Sequence, residues 1–212
     1  MSYMISIIIR TLNEAYNLER CLKILELQDV EHEIIVIDSY STDDTLKIAQ
    51  DYNCKTLQCL PFTYGRGINM GIANSSAELI CILSGHAFPI STNFISGLSI
   101  HFADASVAGV YCRQLPSINT SDLDKRNLPL IFKSSDKIIE DISYFNNAAS
   151  MIRKSIWERI KFDENKKASE DILWASEVRR LGFKIIYNPF LMVEHFHGES
   201  NPVTVERYLK EL

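Results

Sequence analysis

The stretch Glu33-Ile34-Ile35-Val36-Ile37-Asp38-Ser39-Tyr40-Ser41-Thr42-Asp43-Asp44-Thr45 constrains the fold more than any other part of the chain. Its apolar residues, Ile34 to Ile37, are β-branched and show no polar alternation. That is the pattern of a strand covered on both faces. Asp38 follows at the carboxyl end of the strand. In open α/β sheets ligands bind just outside those ends, so a carboxylate here points to a ligand site; a solvated turn aspartate is the plain alternative. Ser41 is expected to cap the next helix, with Asp44 as its acidic capping-box partner.

The same alternation recurs along the first half. Residues 5–9 form an apolar run and read as a first strand. Leu18, Cys21, Leu22 and Leu25 come next at helical spacing. Thr45, Ile48 and Ala49 carry a second helix, residues 55–57 a short strand, and 67–74 a further helix. Residues 79–83 form a strand that ends in Ser84-Gly85-His86. A helix is expected over 92–102 and a strand over 108–112. Such alternation predicts an α/β fold with a mostly parallel central sheet flanked by helices. Residues 113–146, broken by Pro116, Asn119, Ser121 and Asn127-Leu128-Pro129, read as an irregular insert. Ser169 is read as the cap of a helix that ends at Gly182. Short strands are expected over 184–187 and 191–194, and 203–212 reads as an amphipathic helix.

The 212 residues suffice for one sizeable α/β domain. A net charge of −5 argues against a broad polyanion-binding surface, and nothing asks for nucleic acid. No apolar run approaches the ~20 residues of a membrane span, and the start has no basic region of a signal peptide. Five scattered cysteines, none in a Cys-x-x-Cys pair, fit a reducing cytoplasm, with Cys21 and Cys81 as small core residues.

Several residues carry chemistry. Gly65-Arg66-Gly67-Ile68-Asn69-Met70-Gly71 is not a dinucleotide fingerprint, because its last spacing is one residue too long and it does not follow the first strand. Its glycines are expected to let the backbone turn into a helix. Arg66 offers a planar fork to a phosphate, or is a plain surface arginine. His86 stands at a strand's carboxyl end beside Gly85. His195 and His197 bracket Phe196 just after a late strand; at most one of them is expected to face a given site easily, and a histidine pair can bind a metal. Asp171, Trp174, Val178 and Leu181 share one helical stripe. Asp171, at the wet end of an apolar stripe, is the candidate base. The helix N-terminus lowers its pKa and burial raises it; a role in balancing the helix dipole is the alternative.

Together these segments resemble the inverting family 2 glycosyltransferases, which have the GT-A fold. Ser6-Ile7-Ile8-Ile9-Arg10-Thr11-Leu12-Asn13-Glu14 is similar to the family's first strand and Pro-Thr-Tyr-Asn-Glu turn. Residues 37–45 are similar to its Asp-Asp/Ser-Gly-Ser-Thr-Asp-x-Thr turn, and 66–71 to its Gly-rich segment. Residues 147–154 with Phe162-Asp163-Glu164 resemble the acceptor-side block, and Ser169-Glu170-Asp171 with Trp174 the Glu-Asp base motif. Residues 179–183 resemble the segment after it.

The resemblance implies a nucleotide-sugar donor, a glycan or lipid-linked acceptor, and a single domain with a donor half over 1–112 and an acceptor half over 113–212. Thr11, Glu14, Asp38, Arg66 and Ser84 are implied on the donor side, Asn147, Glu170 and Trp174 on the acceptor side, and Asp171 as general base. A divalent cation, Mn²⁺ or Mg²⁺, is implied at the leaving diphosphate. Three departures stand out: Arg10 for proline, Ser39 for a second aspartate, and Ser84-Gly85-His86 for Asp-x-Asp. His86, with His195 or His197, is then the implied metal set. Otherwise Arg66 or Arg10 neutralises the diphosphate, or turnover is lost. Peripheral membrane association stays open. The rival readings are a non-catalytic nucleotide-sugar-binding member and, lower, a nucleotidyltransferase, which needs a glycine-rich loop where Arg10-Thr11-Leu12-Asn13-Glu14 stands, or an oxidoreductase.

Overall fold

The computed structural model describes residues 5–196, Pro202, Thr204 and Val205. The expected terminal helix over 203–212 therefore lies, apart from Thr204 and Val205, outside the described residues. Apolar strands alternate with helices from the start: β1 (Ile5–Thr11), α1 (Ala15–Leu25), β2 (His32–Asp38), α2 (Thr45–Asp51), β3 (Lys55–Gln58), α3 (Tyr64–Ala73) and β4 (Leu79–Ser84). The second half holds β5 (Ala87–Pro89), α4 (Phe94–Ser99), β6 (Val107–Pro116), α5 (Asp122–Ile131), β7 (Ile139–Glu140), β8 (Ala149–Arg153), α6 (Lys154–Arg159), α7 (Glu170–Arg180) and β9 (Lys184–His195).

All of these strands join one sheet in the order β3-β2-β1-β4-β8-β6-β9-β5, with β7 also on β9. The first four run parallel, as the alternation predicts. Here β8 runs antiparallel to both β4 and β6, so the sheet is mixed beyond β4, while β6 and β9 are again parallel. Ile7, Ile9 and Val36 bury against Leu18, Cys21, Leu22 and Leu25 of α1 on one face. Ile8, Ile35 and Ile37 bury against Ile68 and Ile72 of α3 on the other. Both faces of the central strands are thus covered, which is why their sequences lack alternation.

Three local expectations change. The insert 113–146 is not wholly irregular: β6 runs on to Pro116, and α5 forms where the Ser121 hydroxyl accepts the Asp124 N–H. The short strands over 184–187 and 191–194 are one strand. A bulge interrupts it, since Cys112 pairs with Asn188 but Arg113 pairs with Met192. The helix expected over 92–102 is α4 followed by a tighter turn over Ile100–Ala103. The described cysteines are all free thiols, Cys21 and Cys81 within the core, and no described helix is long and apolar enough to cross a membrane.

The glycines of α3 serve packing and not turning. Gly65, Gly67 and Gly71 lie inside the helix, and among the described residues the one glycine with positive φ is Gly182, at +87°, where α7 ends. There Gly182 N–H bonds to Arg179 O and Phe183 N–H to Val178 O, a Schellman close. A Cβ at Gly65 would run into the carbonyl of Asp163, and one at Gly71 would come within 2.7 Å of Ile8 Cγ2. Backbone yields less than a side chain, so Gly65→Ala is expected to destabilise the fold by about 1–3 kcal/mol or more, the overpacking range, and by more than Gly71→Ala. Chemical denaturation of both variants checks the order.

Candidate active site

β1 has β2 on one side and β4 on the other, so the direction of winding reverses there. Such a switch point opens a crevice at the carboxyl ends of the strands. The last register pairs at that edge are Thr11 with Asp38 and Arg10 with Ser84. Side chains alternate along a strand, so Thr11 and Asp38 lean toward the α1 face and Arg10 and Ser84 toward the α3 face.

On the α1 side the turns after β1 and β2 are stitched together. Asp38 Oδ2 accepts the Ser41 N–H at 2.9 Å and Oδ1 accepts the Ser41 hydroxyl at 2.5 Å. The Thr11 hydroxyl reaches Oδ1 at 3.5 Å. Ser41 is therefore a partner of Asp38 and not the cap of α2. Asp44 holds that cap position without a side-chain bond, and Asp43 accepts from the Thr45 hydroxyl and the Ala15 N–H instead. Asn13 and Glu14 complete the seam: Asn13 N–H donates to Ser41 Oγ, Thr42 N–H to Asn13 Oδ1, and Glu14 N–H to Thr45 Oγ1. Asp38 is fully buried. Its carboxylate is already engaged, so it organises the turn beneath the edge.

His86 meets this seam. Its Nδ1 lies 2.5 Å from Glu14 Oε1 and its Nε2 lies 3.0 Å from Ser84 Oγ, while Glu14 Oε2 accepts the Asn17 amide. Gly85 lets the backbone sit close enough: a Cβ there would meet Arg10 O at 3.1 Å. The His195 ring stacks on His86 with centroids 5.2 Å apart and planes 8° from parallel. His195 Nδ1 lies 2.7 Å from Gln114 Oε1, and Gln114 Nε2 donates to Asn146 Oδ1, which also accepts the Ala148 N–H. A backbone N–H can only donate. It fixes the Asn146 amide, which fixes Gln114, which leaves His195 holding a proton at Nδ1. Gln114 and Asn146 were not legible in the sequence, because no local spacing ties them to His195.

On the α3 side stands the N-terminus of α7. Ser169 occupies the cap position in a left-handed conformation, φ 63°, with no side-chain capping bond, contrary to expectation. Asp171 Oδ2 accepts the Asn147 N–H at 3.1 Å and Oδ1 accepts the Ile172 N–H at 2.9 Å. The Asn147 carbonyl in turn accepts from Arg10 Nη2 at 3.0 Å, and Arg10 Nη1 lies 3.9 Å from Glu170 Oε1. Asn147 thus ties Asp171 to the end of β1. Burial pushes the Glu170 carboxyl up to about 7, and the Asp171 charge beside it adds to that push against the opposing pull of Arg10. Burial also raises Asp171, against the N–H groups that stabilise its charge. Glu170 is buried while Asp171 keeps partial exposure, which makes Asp171 the acid that a bound molecule can reach.

Two expected site residues sit elsewhere. Trp174 is buried with its indole N–H on Ile160 O, stacked on Phe162 at 5.2 Å and tilted on Phe145 at 5.4 Å; it supports α7 from within the core. Its stripe stops at Val178, because Leu181 is half-exposed where the helix closes. Arg66 donates to Glu164 and to Pro61 O, and so is joined neither to the Ser84–His86 group nor to Asp171. Two surface hollows, one beside Arg179 and Phe183 and one beside Arg20 and Phe88, contain none of the expected site residues.

Among the described residues no three His, Cys, Asp or Glu side chains converge on a cation position. Both ring nitrogens of His86 and both oxygens of Glu14 are engaged within the protein, and His195 Nδ1 is taken by Gln114. His197 lies outside the described residues.

The family model described as Glycosyl transferase family 2 matches residues 6–161. The chain belongs to this family. Sugar transfer is the activity class that such membership carries. The O-antigen chain rhamnosyltransferase RfbN of Salmonella typhimurium is 27% identical over 219 residues, covering 96% of this chain and 70% of that protein. The O-antigen chain rhamnosyltransferase WbaN of Salmonella anatum is 29% identical, covering 83% of this chain and 60% of the relative. Among solved structures, the mannosyltransferase PcManGT of Pyrobaculum calidifontis in complex with GDP-Man and Mn²⁺ superposes with a TM-score of 0.74 at 19% identity. The match covers 90% of this chain and 56% of that one. S. aureus TarS in complex with UDP-GlcNAc gives 0.70 at 16% identity, covering 92% and 59%. The chain therefore spans little more than half the length of these solved relatives.

The acid pair makes a pH-dependent contribution to stability. A carboxyl raised from 4.5 to about 7 favours the fold while protonated, and that contribution fades as pH rises between those values. Glu170→Gln is accordingly expected to gain on the parent protein in melting temperature from pH 4.5 to pH 8, and a difference independent of pH counts against the burial account.

Proposed function

We propose that this chain transfers a sugar from a nucleotide-sugar donor to a hydroxyl of a glycan or lipid-linked acceptor, with inversion at the anomeric carbon. The nucleoside end of the donor lies over the stitched turns, where Thr11, Glu14 and Asp38 build the floor. Asp38 acts there as a positioning residue. The diphosphate lies toward Ser84 and Arg10, and the acceptor approaches from α7. We assign residues 1–112 to the donor and 113–212 to the acceptor, and place the protein in the cytoplasm, where its free thiols stay reduced.

One observation carries the reading: Asn147 bonds Asp171 through its N–H and Arg10 through its carbonyl. Base and donor edge are then held in one frame. Asp171 takes the proton from the acceptor hydroxyl as that oxygen attacks the anomeric carbon, and the bond to the nucleoside diphosphate breaks on the opposite side. Burial makes Asp171 a stronger base than an exposed aspartate, so the acidic limb of the rate profile is shifted upward from that of an exposed aspartate. In the mannosyltransferase neighbour Mn²⁺ accompanies GDP-Man. The residues at the corresponding strand end of this chain do not fit a cation, and no step here is routed through one.

Asp171→Asn keeps the shape and removes the basic site. It is expected to lower transfer by about a hundredfold or more, the range for a lost general base, while donor binding holds. Rate and calorimetric binding measured on one preparation check both halves, and full turnover by the variant sinks the assignment. Donor binding by the parent protein with neither transfer nor donor hydrolysis points instead to a non-catalytic member.

A further inference from the structure

The end of β4 carries an arrangement that the family reading does not explain. Glu14, His86 and Ser84 form a hydrogen-bonded file, 2.5 Å from Glu14 Oε1 to His86 Nδ1 and 3.0 Å from His86 Nε2 to Ser84 Oγ. A carboxylate accepts, so His86 Nδ1 donates to Glu14. It occupies the place of the two aspartates that a metal motif needs. Its own carboxylate is consumed: Glu14 has one oxygen on His86 and the other on Asn17. The next carboxylate along the edge, Asp38, has both oxygens on Ser41. The acid on the other side, Asp171, accepts two backbone N–H groups. Glu170, behind it, lies against Arg10. The carboxylates next to the β4 end, Glu14 and Asp38, are thus engaged within the protein, and Asp171 keeps its remaining lone pairs for the acceptor side.

Positive charge is present in another form. Arg10, the register partner of Ser84, has a side chain that is 10% exposed. One of its N–H groups bonds Asn147 O, and its plane lies over the Tyr64 ring at 5.2 Å. Its Nε is buried and has no hydrogen-bond partner among the described residues. A guanidinium has five donors in a rigid fork suited to phosphate oxygens. Burying a donor unmatched is costly unless a ligand completes it.

Resting on the donor-site reading above, we propose that this chain binds the diphosphate of its donor without a divalent cation, through the Arg10 guanidinium and the Ser84 hydroxyl backed by His86 and Glu14. Arg10 supplies the charge that a cation would supply, and the Ser84 hydroxyl, placed at the β4 end by His86 and Glu14, turns its single proton from His86 Nε2 to a phosphate oxygen when the donor binds. Departure of the nucleoside diphosphate then meets a fixed cationic side chain.

The test is calorimetric titration of the protein with UDP, GDP and dTDP, each in excess EDTA and in excess MnCl₂. At least one nucleotide is expected to bind with the same affinity, within about twofold, in both. Arg10→Lys keeps a charge and loses the fork. It is expected to weaken the diphosphate by about ten- to a hundredfold, the range for a charged hydrogen bond, and to leave the parent nucleoside unchanged. Because Arg10 is buried, a second variant avoids it: Ser84→Asp with His86→Asp rebuilds Asp-x-Asp and is expected to make binding depend on Mn²⁺. Binding by the parent protein in MnCl₂ alone overturns this inference and leaves the donor site standing. Absence of binding in both conditions overturns the donor site and the inference together. Equal binding by the double variant in EDTA and MnCl₂ overturns the placing of the diphosphate at Ser84.

Discussion

The site depends on one buried cation. Arg10 stands where the first strand ends, with its guanidinium almost enclosed between Tyr64, Asn147 and Glu170. A charge taken out of water needs partners of opposite polarity, and the partners it finds come from the far half of the chain. The loop before β8 and the first turn of α7 are thereby drawn to the edge of β1. Removal of the guanidinium would leave Glu170 as an uncompensated acid beside Asp171, and the frame around the base would lose its reason to close.

Around that cation the edge divides by face. Thr11, Asp38, Glu14 and His86 belong with the α1 layer, while Arg10, Asn147, Glu170 and Asp171 belong with the α3 and α7 layer. The sheet's alternation makes the division, and the crevice at the switch point spans it. A molecule laid across the edge touches both layers at once. That suits a two-substrate reaction, in which one partner is held from one side and activated from the other. The reach from Asp38 to Asp171 is bridged by backbone and by Arg10.

Much of this was legible because burial on both faces erases polar alternation. Ile34 to Ile37 and Leu79 to Leu83 announce themselves as central strands, and the residues just past their carboxyl ends necessarily stand at the ligand edge. The Leu18, Cys21, Leu22 and Leu25 stripe likewise gave α1. Errors came where a short polar side chain had two possible partners. Ser41 has the residue type of a helix cap, yet its hydroxyl donates to Asp38, three residues back, and its oxygen accepts the Asn13 N–H, which leaves it no role at the helix start. The insert hid α5 behind Pro129, although Ser121 with Asp124 is a start signal and a proline late in a helix sacrifices only one bond. The three-part file of Glu14, His86 and Ser84 and the Gln114–Asn146 pair were beyond sequence reading altogether. Their partners lie 72 and 32 positions apart, and such contacts leave no periodic trace.

The bulge between β6 and β9 has a further effect. From Cys112 to Arg113 one strand advances a single residue, while its partner advances four, from Asn188 to Met192. The surplus is odd, so parity inverts: Ile186 faces the α1 layer before the interruption, and Val193 faces it afterwards. His195 inherits the inverted parity and lands on the His86 ring. Natural variants that shorten this crossing by a single amino acid would swing that imidazole to the reverse side of the sheet, whereas a two-residue deletion would spare it. Length polymorphism at 189–191 thus behaves as an even–odd toggle for the histidine stack.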